Sequence, residues 1–210
     1  MTMIKSIGIL LAATAATWAG EWQPLFTGKN LDGWKASERE GVFSVIDDGV
    51  LKVEGGRSHL FWMGTNSTPV TFTDFELSAQ VKTTPGSNSG IFFHTKYQQV
   101  GWPAQGYEAQ VNSTHKDKRK TGSIYAVKDV MNDSPSTDGQ WFDYLIQVKG
   151  KSITVRVDGR VVSEYTEPDD LKPEERYKSR RLGSGTFAIQ GHDPKSVTYY
   201  RDIKVRIPGD

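Results

Sequence analysis

The stretch WFDYLIQVKGKSITVRVDGRVVSEYTE (residues 141–167) decides the fold. In SITVRV the polar side is Ser152, Thr154 and Arg156, with an apolar residue between each pair. A period of two is the signature of a strand with one covered face. Asp158-Gly159 is a tight hairpin signal, because Asp and Gly tolerate positive φ. The three runs therefore predict a β-meander. Working outward, VFSVIDDGVLKVEG (42–55) reads as a second hairpin around Asp48-Gly49, and TFTDFELSAQVKT (71–83) alternates throughout. SGIFFHTKY (89–97), GYEAQV (106–111) and GSIYAV (122–127) read as short strands separated by Gly, Pro, Ser and Asn. GTFAIQG (185–191) and SVTYYRDIKVRI (196–207) read as the last strands. PDDLKPEERYKSRRL (168–182), with two prolines and many charges, reads as a loop with one helical turn. Many short strands at regular spacing predict one all-β sandwich of two antiparallel sheets.

Composition agrees with a packed domain. Among 210 residues, 36% are hydrophobic and 24% charged, outside the disordered class. The net charge of +1 provides no field to recruit nucleic acid or an anionic membrane. The densest basic run, HKDKRK (115–120), is interrupted by Asp117 and reads as a solvated loop. At the N-terminus, Lys5 precedes an apolar, small-residue run, and Thr17 and Ala19 stand where a signal peptidase reads. Residues 1–19 are expected to be a cleaved signal peptide, too short and too rich in Ala and Thr for a membrane span. The mature chain, residues 20–210, is then a secreted or periplasmic domain without a membrane span. It has no Cys, so it can form no disulfide and its stability rests on the core. The oligomeric state is not encoded in any visible pattern.

In a sandwich the alternation assigns faces. In GYEAQVN, Tyr107, Ala109 and Val111 point to the core, and Glu108, Gln110 and Asn112 share the outer face. GIFFHT sets Ile91 and Phe93 against Phe92 and His94. TFAIQGH sets Phe187 and Ile189 inward, with Ala188, Gln190 and His192 outward. An outer face with Glu, Gln and His in place of Lys, Thr and Ser points to hydrogen bonding with a neutral polyol. No phosphate loop, dinucleotide fingerprint, G-x-S-x-G elbow or basic-aromatic nucleic-acid surface is present.

The motifs PLFTGKNLDGW, NSGIFFH, GYEAQV, TGSIYAV, WFDYLIQVKGKSITVRVDGRVV and GTFAIQGHDP…YYRDIKVRI stand in the order found in the 3-keto-disaccharide hydrolase domain family. The chain resembles that family over residues 22–207. The resemblance implies a concanavalin A-like jelly roll, and a carbohydrate-active protein in organisms that oxidise sugars at C3 before cleaving them. Many relatives carry Arg at the position of His94. This chain is similar to a subgroup with His-Thr there, together with NSTHKD and GHDP, so a mechanism that needs Arg at 94 does not carry over.

The chemistry follows from the acids available. Ordinary glycosidases need two carboxyls flanking the bond. Here Glu108 is the one acid of its strand, which disfavours them. A 3-keto-glycoside needs less, because the ketone acidifies the C2 proton. One base, one acid and an oxyanion contact complete a β-elimination, after which water adds. Glu108, His94 and His192 are the candidate catalytic residues, with Glu108 or His192 as base. Gln110 and Gln190 are candidate hydroxyl binders, and Asn112, His115 and Lys116 candidate rim contacts. Trp62, Trp102 and Tyr125 are candidate stacking or contact residues. Each also has a structural reading: a satisfied carboxylate, a packed or turn-capping His, a solvated loop, a core Trp or Tyr. No cofactor is predicted. His94, Glu108 and His192 could hold a divalent cation if their strands were adjacent. The implied partner is an oligosaccharide or an oxidised sugar. The alternatives to an enzyme are a non-catalytic, lectin-like carbohydrate-binding module and a structural sandwich that binds no sugar.

Overall fold

In this computed structural model Trp18 and residues 20–209 are described. The signal peptide expected over residues 1–19 lies outside them except for Trp18. Thirteen strands, and no α-helix among the described residues, form two antiparallel sheets. No described helix is long and apolar enough to cross a membrane.

The larger sheet is built on the opening stretch. Strands β9 (Phe142–Lys149), β10 (Ser152–Val157) and β11 (Arg160–Thr166) form the expected meander. Asp158 and Gly159 both have positive φ, 49° and 75°, as a two-residue hairpin requires. The sheet continues through β6 (Phe75–Thr83), β13 (Val197–Arg206), β4 (Val50–Glu54) and β3 (Phe43–Ile46), with β1 (Gln23–Pro24) also on β13. The smaller sheet has the order β2 (Trp34–Ala36), β5 (Ser58–Trp62), β12 (Thr186–Gly191), β7 (Ser89–Thr95) and β8 (Tyr107–Val111). The core lies between the sheets. Phe75, Leu77, Ala79 and Val81 of β6 meet Ile91, Phe93, Tyr107, Ala109, Val111, Phe187 and Ile189, as the alternation predicted.

Four expectations are corrected. GSIYAV is not a strand: residues 121–127 turn back on β8, with isolated bridges from Ile124 to Ala109 and Lys128. Ile124 is core, and a continuous ladder is lost because the chain reverses there. Second, the far face of the smaller sheet is not open to water. Every residue of β5, β7, β8 and β12 is buried, because three loops (96–106, 112–130 and the strap 168–182) fold over that face. Third, His94 does not continue the alternation of β7. The β7–β12 register skips, pairing Thr186 with Thr95 but Ala188 with Phe92. This bulge gives His94 a φ of 54° and turns its ring onto Phe75 and Phe93. Fourth, Trp62 is core. It is 1% exposed, meets Trp34 edge-on at 5.3 Å, and donates its indole N–H to the Pro69 carbonyl at 2.8 Å.

Candidate active site

The loops close a cavity of about 520 Å³ over the smaller sheet. Its floor carries Glu108 and Gln110 of β8 and Gln190 of β12. His192 and Trp102 stand to one side, and Tyr125, Asp117 and strap residues Tyr177 and Arg180 to the other.

Glu108 and Gln190 lie two strands apart with β7 between them. Register places Gly90 beside Gln110, and Phe92 beside both Glu108 and Ala188. Gly90 has no side chain to block the crossing, so Gln190 Nε2 donates to Glu108 Oε1 at 2.8 Å. A Cβ on Gly90 would meet that oxygen at 2.4 Å and the Glu108 Cγ at 3.0 Å. Its φ is not in the positive region, so space rather than backbone freedom requires glycine here. Glu108 forms no ion pair among the described residues. Burial pushes its carboxyl up to about 7, against the opposing pull of the Arg180 guanidinium and the Gln190 hydrogen bond. Gln110 donates to Asn88 Oδ1 at 3.2 Å. The Oε1 atoms of Gln110 and Gln190 are buried without a hydrogen-bond partner among the described residues, acceptors suited to donor hydroxyls.

His192 stands just beyond β12. Its Nδ1 donates to Asp193 Oδ2 at 2.9 Å, which leaves Nε2 as the nitrogen free to exchange a proton. Burial works against ionising Asp193, but hydrogen bonds from Ser196, His192 and the Lys195 amide outweigh it and hold its carboxyl at about 2. Trp102 is 45% exposed, and its ring centroid lies 5.4 Å from that of His192. The Gly101 amide donates to Glu38, itself paired with Arg57, which fastens the Trp102 loop to the sheet.

Residues 21–206 match the sequence profile of the 3-keto-alpha-glucoside-1,2-lyase-like domain. The chain belongs to this family.

No curated protein matches this chain at a significant level. Among solved structures, a candidate glycosyl hydrolase from Parabacteroides distasonis ATCC 8503 superposes with a TM-score of 0.74 at 21% identity, over 90% of this chain and 94% of its own. A second from the same organism gives 0.68 at 25% identity, over 89% and 99%. The carbohydrate-binding module CBM66 of Bacillus subtilis shares the fold, with a TM-score of 0.56 at 11% identity over 83% and 95%.

The chain thus gathers Glu108, Gln110, Gln190, His192, Trp102 and Tyr125 around one cavity. His94 is not among the lining residues: its Nε2 donates to the Thr73 carbonyl at 2.8 Å and its Nδ1 accepts the Gly183 amide at 3.2 Å, so both nitrogens are committed to structure. Asn112 is fully buried and donates to the carbonyls of Asp117 and Arg119, fixing the 113–120 loop rather than meeting a sugar. Lys116 is exposed on that loop, away from the lining. His115 meets the His192 ring edge-on at 5.4 Å and stands behind the lining.

The cation set His94–Glu108–His192 is therefore not assembled. A different group comes together: ligand atoms of His115, His192 and Asp193 lie within 4.8 Å of one another. Their hydrogen bonds do not fit a metal. The Asp117 amide donates to His115 Nδ1 at 3.1 Å, which leaves the proton on Nε2, the nitrogen nearer Asp193. A metal-bound imidazole needs the opposite polarity at its second nitrogen.

Arg180, Tyr177, Asp117, Asn88 and Asp193 line or support the cavity without having been singled out as candidates. His59 was missed as well. It faces the covered side of β5 opposite Gln190, fully buried under Trp102, with no hydrogen-bond partner for either ring nitrogen among the described residues. The alternation of SHLFW would have assigned its face. No local pattern places the strap residues.

Proposed function

We propose that this domain cleaves the glycosidic bond of 3-keto-glycosides by β-elimination followed by hydration. The observation that carries the reading is Glu108: a buried carboxylate with no ion pair among the described residues, on the floor of a cavity that an oriented imidazole also lines. Glu108 removes the C2 proton, and the electron pair forms the enolate of the C3 ketone. The C1–O bond then breaks, and His192 Nε2, in its protonated form, gives the leaving oxygen a proton. Asp193 holds the imidazole through Nδ1 during this transfer. Water adds across the resulting C1–C2 double bond: Glu108 returns its proton to C2 while His192 takes one from the water, which restores both groups. The Gln110 and Gln190 acceptors and the Trp102 face hold the sugar hydroxyls and ring. The apolar run before residue 20 supports export, so the substrate is met outside the cytoplasm.

A base held at about 7 is matched to proton abstraction near neutral pH. The expected kcat/KM rises with pH through that value. Glu108→Gln is expected to abolish cleavage of a 3-keto-glucoside with the fold intact by circular dichroism. Unchanged turnover in that variant refutes the assignment. The exposed Trp102 and the shared fold of CBM66 favour a second reading, a sugar-binding module without catalysis. Binding of a 3-keto-disaccharide without cleavage, in the same assay, would establish it.

A further inference from the structure

The mechanism above leaves the developing enolate oxygen without a cation, and the strap carries one. Residues 168–182 leave β11 and return to β12 across the mouth of the cavity. Glu167 anchors both ends of this path, accepting the Leu182 amide at 2.9 Å and the Tyr107 hydroxyl at 2.5 Å. Arg181 donates to the Leu171 carbonyl at 2.6 Å, and the Gly106 amide donates to the Ser179 carbonyl at 3.3 Å. A 3-10 turn, Glu175–Tyr177, then presents Arg180, whose amide donates to the Tyr177 carbonyl at 2.8 Å.

Two arginines line the cavity, both on the strap: Arg176 is exposed, with its guanidinium over the Tyr177 ring, and Arg180 is half-buried. Arg57 is paired with Glu38 and Arg119 with Asp129. Arg180 has no carboxylate partner among the described residues. Its guanidinium donates to the Tyr125 backbone carbonyl and lies 4.0 Å from the Tyr177 ring centroid and 5.6 Å from that of Tyr125. Aromatic faces and one carbonyl hold a guanidinium in place without neutralising it. One of its five N–H donors is used by this carbonyl, and the residue lines the cavity. The charged and titratable groups around it are Glu108, Tyr177, Tyr125 and Tyr107, and Asp117, Glu175, Arg176 and Lys178 also line the cavity. Glu108 and Arg180 both line the cavity and form no ion pair with each other, so a substrate atom can come within reach of base and cation together.

We propose that Arg180 is a catalytic residue, the donor that holds the C3 oxygen of the substrate as it becomes an enolate. This inference rests on the elimination reading. It assigns the strap a chemical task in addition to covering the site, and it explains why an unneutralised guanidinium is kept in a half-buried position, where such a charge is costly. The C2 proton leaves towards the sheet, and the charge it leaves behind on the C3 oxygen faces the strap.

The test uses the full chain and two probes. The first is turnover of a 3-keto-glucoside. Arg180→Met keeps the stem and loses the charge, and is expected to lower kcat about 100- to 1,000-fold with a much smaller change in KM. Arg180→Lys is expected to fall between Met and wild type, and guanidinium chloride is expected to restore part of the kcat of Arg180→Ala. The second probe is ascorbate, a stable ene-diolate, titrated calorimetrically under anaerobic conditions. Wild type is expected to bind it, and Arg180→Met to bind at least about tenfold more weakly. Glucuronate, which carries a carboxylate and no ene-diolate, is expected not to compete. Arg180→Met turning over within threefold of wild type, or binding ascorbate as wild type does, overturns the proposal. Glucuronate binding that depends on Arg180 overturns it in favour of a carboxylate-recognition role. If wild type fails to cleave the 3-keto-glucoside, the elimination reading falls, and the ascorbate titration still decides what Arg180 holds.

Discussion

Asp193 Oδ2 accepts hydrogen bonds from both His192 Nδ1 and Ser196 Oγ, while Oδ1 accepts the Lys195 amide. One carboxylate therefore shapes the turn after β12 and fixes which nitrogen of His192 faces the cavity. The two tasks separate on substitution. Asp193→Asn keeps the size of the side chain but can present an amide N–H towards Nδ1, which favours the wrong tautomer. The expected result is a fall in kcat of about 100-fold or more, with a stability loss near 1 kcal/mol from weakened turn bonds. Kinetics alongside thermal unfolding checks this. A kcat that falls only in proportion to stability would reduce Asp193 to a turn residue.

Strand β7 works by what it lacks. Gly90 in a strand interior forgoes side-chain packing and raises the entropy cost of folding, a penalty of about 0.5–1 kcal/mol relative to Ala. The compensation is the passage it leaves for the Glu108–Gln190 bond. Gly90→Ala pushes the Glu108 carboxyl off Gln190, and is expected to lower kcat about 100-fold while changing stability by less than about 1 kcal/mol. The effect should be non-additive: in a Gln190→Ala background, where the Glu108–Gln190 bond is already lost, adding Gly90→Ala should cost little further activity. Equal kinetic effects in both backgrounds would mean that Gly90 acts on something other than this bond. The bulge two residues past Phe92 is the complementary device in the same strand. It withdraws His94 from the cavity face and seats it against Phe75, which is why His94 serves the fold and not the reaction.

Across the whole molecule, two buried groups pull the pH dependence of stability in opposite directions. Burial lowers His59 from 6.5 to about 3, so over that window the unfolded chain holds a proton that the folded chain lacks, and stability rises with pH. Burial raises Glu108 from 4.5 to about 7, so there the folded chain holds the extra proton, and stability falls as pH rises towards 7. Thermal unfolding from pH 3 to 8 is expected to separate them. The advantage of Glu108→Gln over wild type should grow between pH 4.5 and 7, by up to about 3 kcal/mol. The advantage of His59→Phe should be largest in acid and shrink towards pH 6.5. Curves parallel to wild type would show that neither group titrates from inside the fold.

The sequence alone determined the two hairpins, the all-β class, the inward residues of β6, β7, β8 and β12, and the outward placing of Glu108, Gln110, Gln190 and His192. Alternation is a local property of an extended chain and can be read one residue at a time. What it could not determine depends on contacts between distant segments. A register skip between β7 and β12 removed His94. The packing of Trp62 on Trp34, and the closing of the Trp102 loop over the sheet, separated a core tryptophan from a cavity one. The return of the strap supplied Arg180, and the empty space at Gly90 joined Glu108 to a glutamine 82 residues away. None of these leaves a periodic mark, because each arises when independently patterned segments meet in three dimensions.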